Sequence, residues 1–394
     1  MEFVATCLFG LEKLLGEELD ALGVKRTETI DGRVTFEGTL YDIAKVNVGS
    51  RFAERIYIKM GQVFTDTSNP FDTLFEGVKA MPFEGYIGSN DTFVVTGHSV
   101  KSKLTSIPAL QRVVQKAIAS RLGEKYGKSW FDGDGVRYSV EFFILNDLAT
   151  LMIDTSGMAL HKRGYRANSN DAPLRETLAA ALCKLARPRE DVLFWDPMCG
   201  SGTIPIEAAM IVSNTAPGLR RSFAAEKFPF LPENAFRQAR GEAIAAIRQD
   251  CAFEAYASDI DPACVQLTRD NIAKAGMGKY VKCFERNALE ITTGGRRGTI
   301  VCNPPYGERL LTPEECAKLY RRMGAHFATL DSWQIYIISS NEQFERLYGR
   351  RADKVRKLYN GMLRCGYYQY FKKRDDQDGE KRPFEKPYKH YSNK

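Results

Sequence analysis

Residues 192–212, VLFWDPMCGSGTIPIEAAMIV, hold the pattern from which the fold can be read. Phe194-Trp195-Asp196 ends an apolar run of strand character, Pro197 to Gly202 is a turn, and Thr203 to Val212 is apolar enough for a buried helix. Two glycines without a Cβ let the backbone approach a ligand, and the helix start offers free N–H groups to an anion. Taken alone, a Gly-rich turn is weak evidence of a ligand site, the alternative being a tight strand–helix turn and nothing more.

Working outward, further strand-like runs fall at 254–259, 280–284, 298–302 and 333–339, with helical patterns between them. That alternation predicts a parallel sheet covered on both faces, with ligands at the carboxyl ends of the strands. Val355–Tyr359 and Leu363–Phe371 flank Asn360-Gly361, the signal of a hairpin turn, so the sheet should end in an antiparallel pair. We place this third unit at 165–372 and read 373–394, rich in Lys, Arg, Asp, Glu and Pro, as a solvated tail.

Two smaller units precede it. Residues 1–60 read as a small α/β unit, with strands at Phe3–Leu8, Arg33–Glu37 and Arg55–Met60 and helices around Leu11–Leu22 and Leu40–Val48. Residues 61–160 carry a helix at Pro70–Ala80, a strand at Thr92–Thr96, a helix from Pro108, and a hairpin turning at Asn146-Asp147.

The 394 residues carry a net charge of +7, compatible with a polyanionic partner but no proof of one. No apolar run approaches the ~18 residues that span a bilayer, and Met1-Glu2-Phe3 does not open a leader peptide. The nine cysteines are never within four positions of one another, and the four histidines are dispersed. We therefore expect a cytoplasmic protein with reduced thiols, no metal and no membrane partner. Oligomeric state is not readable.

The strand ends carry the candidate site. Asp259, with Asp261 as its alternative, sits where a ribose diol is held. Asn287, followed by Ala288, is placed to meet an adenine edge. One ligand with a carboxylate, a ribose and an adenine satisfies the loop and both strand ends, and S-adenosylmethionine is such a ligand. NAD fits worse, because Pro205 stands where its third glycine belongs. Cys199 has no histidine neighbour and reads as a small loop residue. Candidate cofactor contacts are Asp196, Pro197, Cys199, Gly200, Gly202, Thr203, Asp259, Ile260, Asn287, Ala288 and Asn303.

After the fourth strand comes Asn303-Pro304-Pro305-Tyr306-Gly307. Two prolines fix the backbone and remove two donors, which leaves acceptors facing the site. An exocyclic amine is a poor nucleophile because its lone pair is delocalised into the ring. The Asn303 side-chain oxygen and the Pro304 carbonyl can each take one amine hydrogen and turn the lone pair towards an electrophilic methyl group. Tyr306 offers a ring on which an extruded base can stack. Asn303, Pro304 and Tyr306 are the candidate catalytic residues, and positioning is most of the work asked of them.

These residues resemble the class I, Rossmann-like methyltransferases with an Asn-Pro-Pro-Tyr signature. Residues 196–203, DPMCGSGT, and 303–309, NPPYGER, are similar in particular to the bacterial RNA guanine-N2 methyltransferases, as are Leu160–Arg166 and Ala172–Glu176. The resemblance implies an α/β class I domain with a mixed seven-stranded sheet, preceded by ferredoxin-like (1–60) and THUMP (61–160) α+β domains. It implies S-adenosylmethionine as cofactor and RNA as partner, ribosomal RNA of the large subunit being favoured over tRNA. It places Asp196, Gly200 and Gly202 along the methionine part, Asp259 on the ribose and Asn287 on the adenine, although an aspartate is commoner at the last position. Adenine N6 in DNA or RNA poses the same chemical problem, and an RNA-binding scaffold is the non-enzymatic alternative. Lys101, Lys103 and Arg112 in the second unit, with Lys162, Arg163 and Arg166 at the junction, are the candidate RNA contacts. The stretch 214–251 reads as an insertion, either a substrate contact or a packing helix.

Overall fold

A computed structural model describes residues 1–66, 68–166, 174–307 and 311–371. Ala172, Pro173, Glu308, Arg309 and the expected tail at 373–394 lie outside the described residues.

The N-terminal part is built from β1 (Glu2–Thr6), α1 (Glu12–Ala21), β2 (Lys25–Ile30), β3 (Arg33–Glu37), α2 (Leu40–Gly49), β4 (Arg55–Phe64), α3 (Pro70–Lys79), β5 (Thr92–Val100), α4 (Ile107–Tyr126), β6 (Arg137–Leu145) and β7 (Leu148–Asp154). All seven strands form one sheet in the order β2-β3-β1-β4-β7-β6-β5. The two units expected from the sequence therefore share a sheet, because β4 continues through residue 60. Arg55–Ile58 pair with β1, and Tyr57–Phe64 pair with β7 across a register shift at Lys59/Gly61. The strand β2 is absent from the sequence reading for a physical reason. KRTETI is solvated on both faces at a sheet edge, so it carries no apolar alternation.

The C-terminal part contains α5 (Glu176–Ala186), β8 (Leu193–Asp196), α6 (Thr203–Val212), α7 (Ala235–Ala245), β9 (Ala255–Asp259), α8 (Pro262–Ala275), β10 (Val281–Glu285), β11 (Gly298–Cys302), α9 (Pro313–Phe327), β12 (Trp333–Ser339), α10 (Phe344–Tyr348), β13 (Lys354–Asn360) and β14 (Leu363–Tyr370). Its sheet runs β10-β9-β8-β11-β12-β14-β13, with β14 antiparallel to both neighbours. The expected mixed seven-stranded sheet is thus present. No helix among the described residues is long and apolar enough to cross a membrane.

The insertion after α6 joins the two parts. Gly218 N donates to Val48 O at 2.9 Å and Ala225 N to Thr155 O at 3.0 Å. Phe228 stacks on Tyr138 with centroids 4.7 Å apart, and the Phe230 ring meets Tyr86 edge-on at 5.1 Å. The insertion is a strap that ties the catalytic sheet to the N-terminal sheet, and three of its arginines already have partners. Arg221 donates to Ala159 O and Lys162 O, Arg240 pairs with Glu226, and Arg248 pairs with Glu190.

Candidate functional site

The ends of β10, β9, β8 and β11 stand side by side at the carboxyl edge of the second sheet. They bring Asn287, Asp259, Asp196 and Asn303 to one edge, as the sequence predicts. The loop from β8 to α6 is held by two strand-end carboxylates, one backbone carbonyl and α8. Gly200 N donates to Asp259 Oδ2 at 2.9 Å, Cys199 N to Ser258 O at 3.0 Å, and Met198 N to Asp196 Oδ1 at 3.2 Å. Two buried polar side chains of α8 clamp the loop carbonyls: Thr268 Oγ1 donates to Gly200 O and Asn271 Nδ2 to Ser201 O, both at 2.9 Å. Sequence reasoning missed them. The available signal was two polar residues three positions apart on the otherwise apolar face of α8, one helical neighbourhood.

The residues present fit S-adenosylmethionine. Gly202 has φ +75°, and a Cβ there would stand 2.7 Å from the Thr268 methyl, so only glycine keeps this turn. Each Asp259 oxygen accepts one backbone N–H, from Gly200 and from Asp261, leaving further lone pairs for a diol. Ile260 is 66% exposed beside it and offers an apolar face to a purine. Asn287 Oδ1 accepts from Leu289 N at 3.0 Å and caps a one-turn helix. Its amide nitrogen makes no protein hydrogen bond among the described residues. That amide nitrogen is the donor Asn287 has to offer at the end of β10. Pro197, Cys199, Thr203 and Ala288 are buried around this cradle. Burial pushes the Asp196 carboxyl well above the ordinary carboxylate range, and the charge of Asp259 adds to the effect.

Beyond β11 the backbone of the tetrad is fixed by α9. Tyr320 Oη and Cys316 Sγ both donate to Pro305 O. The Pro304 carbonyl accepts nothing among the described residues and stays available. The Asn303 side-chain oxygen, expected to be a free acceptor, accepts from the Tyr306 hydroxyl in this structure. The Tyr306 phenol is driven well above its usual range by burial, with Cys365 of β14 against it.

Two of the expected RNA contacts are corrected. Arg163 is 2% exposed and donates to Leu160 O at 2.7 Å and to Arg51 O, with Glu207 at 3.5 Å. Arg166 has a side chain 6% exposed and binds Leu174 O, Glu176 and, at 3.3 Å, the Thr203 hydroxyl. Glu207 is the lone acid of the apolar helix α6 and Glu176 starts α5; both are buried and need cations. A single acid inside TIPIEAAMIV was the overlooked signal. Lys162, Lys101 and Arg112 remain exposed, while Lys103 is exposed but paired with Asp66.

Comparison with known proteins places these features. The RMKL-like methyltransferase domain matches residues 163–369, the RlmL ferredoxin-like domain 2–57 and the THUMP domain 68–154. The chain is 41% identical over 372 residues to YpsC of Bacillus subtilis (strain 168), provisionally named an RNA methyltransferase, covering 94% of this chain and 96% of that one. It is 32% identical over 369 residues to the ribosomal RNA large subunit methyltransferase K/L of Psychromonas ingrahamii, covering 90% of this chain. The chain spans about half of that relative, 48% of its length. Among solved structures, SMU.472, provisionally named a methyltransferase and solved in complex with SAH, superposes with a TM-score of 0.88 at 39% identity over 95% of this chain and 98% of that one.

Proposed function

This chain belongs to the RMKL-like methyltransferase family, and we propose that it methylates the exocyclic N2 amine of a guanine in RNA, most of all in large-subunit ribosomal RNA. S-adenosylmethionine is its methyl donor and supplies an electrophilic methyl on a sulfonium. Asp196 and the Gly200–Gly202 turn hold its methionine part, Asp259 its ribose, and Asn287 with Ile260 its adenine. The amine hydrogens go to Asn303 Oδ1 and the Pro304 carbonyl, and the nitrogen lone pair is thereby aimed at the methyl group. The observation that carries the reading is the pairing of Asn303 with Tyr306 next to the cradle, one acceptor and one stacking ring at the same strand end. The THUMP match and the ribosomal RNA relatives support RNA as the polymer.

Labelled methyl transfer onto in vitro transcripts of large-subunit ribosomal RNA and of tRNA, followed by nucleoside mass spectrometry, tests this. N2-methylguanine in the ribosomal transcript is expected. N6-methyladenine would overturn the base, preferred labelling of tRNA the RNA class, and preferred labelling of duplex DNA the polymer.

A further inference from the structure

The β13–β14 hairpin has a role that the cradle and the tetrad do not absorb. Its last pair with β12 is Ser339–Gly366, yet the two strands stay paired out to Asn360–Leu363. At about 3.3 Å per residue, those three further positions carry the turn roughly 10 Å past the carboxyl end of β12. This is the edge that holds Asn303, and Tyr306 lies against Cys365 of the same hairpin. At the tip, Gly361 takes φ +66° and Met362 is 96% exposed, more than any other large apolar side chain among the described residues.

The hairpin is also braced and charged. The Phe9 ring, itself 51% exposed, meets Tyr359 edge-on at 5.9 Å. Gly10 approaches so closely that a Cβ there would stand 2.9 Å from Lys357 O. The N-terminal unit thus props up the hairpin from outside the catalytic sheet. Between 354 and 371 the chain carries Lys354, Arg356, Lys357 and Arg364 and no acidic residue. Lys357 and Arg364 are exposed on either side of the turn.

Single exposed apolar residues are ordinary. A fully exposed methionine at the tip of a braced, purely basic projection beside a base site is a different case. Extruding a base leaves a gap in the stack, and an unbranched apolar side chain can fill it while cations hold the flanking phosphates. We propose that Met362 is the wedge that enters the RNA stack in place of the extruded base, with Lys357 and Arg364 on the neighbouring phosphates. This rests on the reading of the chain as an RNA base methyltransferase and adds a positioning residue to it.

The test uses the full chain as wild type, Met362→Ala and Met362→Leu, with two RNAs. One is the folded transcript that the wild type methylates; the other is a short oligonucleotide with the same target nucleotide unpaired. Met362→Ala should lower the single-turnover rate on the folded transcript by roughly tenfold or more, since extrusion from a stack costs a few kcal/mol. On the unpaired oligonucleotide it should stay within about twofold, and Met362→Leu should restore most of the loss. A second readout needs no turnover. With 2-aminopurine at the target position of the folded RNA, wild type should raise its fluorescence on binding and Met362→Ala should not, at similar affinity. Equal loss on both RNAs, no loss on either, or unchanged fluorescence in Met362→Ala would overturn the wedge. Failure of the wild type to methylate any RNA would overturn the proposed function instead, and is told apart by the wild-type rates alone.

Discussion

At the residue scale, Asn303 and Tyr306 divide the labour at the base. Asn303→Ala removes an acceptor needed as the amine turns, so transfer should fall by about 10²–10³ while S-adenosylmethionine affinity measured by calorimetry stays nearly unchanged. Equal loss of both would make Asn303 structural. Tyr306→Phe keeps the ring and deletes the hydroxyl that competes for Asn303. It should stay near the wild-type rate, whereas Tyr306→Ala should lose roughly 10–100-fold, the worth of one stacked base. Asp196 titrates in the opposite sense to a paired surface acid. Its folded pKa lies above its unfolded one, so the ionised form costs stability at any pH above the unfolded value. Asp196→Asn should therefore raise the thermal midpoint at pH 7, and the gain should vanish towards pH 3, where both states of the wild type are protonated. The same variant should weaken S-adenosylmethionine binding. An unchanged midpoint at pH 7 would contradict the burial argument.

At the element scale, the decisive piece is the turn from β8 into α6. Its shape is set by two left-handed glycines, Gly200 at φ +52° and Gly202 at φ +75°. Its position is set by Thr268 and Asn271 of the neighbouring α8. Gly202→Ala meets both a left-handed backbone, costing about 1–2 kcal/mol, and the Thr268 methyl. Cofactor affinity should drop at least tenfold in calorimetry, and pairing it with Thr268→Ser, which removes that methyl and keeps the hydroxyl, should recover part of the loss. If the double variant is no better, the clash is not the cause.

At the scale of the whole molecule, the two sheets are coupled through buried polar groups. Glu54, which immediately precedes β4, receives His161 at 2.7 Å, Arg175 at 3.1 Å and the Thr177 hydroxyl, so it reaches the start of α5. Burial alone would raise its carboxyl; the hydrogen bonds from His161 and Thr177 and the charges of His161 and Arg175 outweigh it and hold the carboxyl below the ordinary range. A depressed acid stabilises above its unfolded pKa, about 4.3, and loses that contribution as pH falls through the folded value. Glu54→Gln should lower the thermal midpoint at pH 7 and converge with wild type as the pH falls below the folded value. Scanning calorimetry should also show the variant's single transition broadening or splitting as the two sheets uncouple; convergence failing to appear would mean that the carboxylate charge is not what joins them.

The sequence by itself determined the catalytic sheet and its row of strand-end residues. Buried parallel strands, a Gly-rich turn and a Pro-Pro tetrad are local patterns, and each is dictated by sterics within a few residues. It also carried the hairpin at Asn360-Gly361, the four N-terminal helices and α6, but neither α5 nor α10. It did not carry β2, whose solvated edge has no apolar period, nor the continuity of β4 across the two N-terminal units. Only the tertiary structure decided the fates of the charged residues. Arg163 and Arg166 look like RNA contacts in a basic run, but buried Glu207 and Glu176, distant in sequence or on another element, claim them. Likewise Arg221, Arg240 and Arg248 of the 214–251 stretch are taken up by carbonyls and acids, and the Asn303 acceptor is held by Tyr306. A cation's availability depends on which acid folding brings within about 4 Å of it, and that distance is set by packing between elements, not by spacing along the chain.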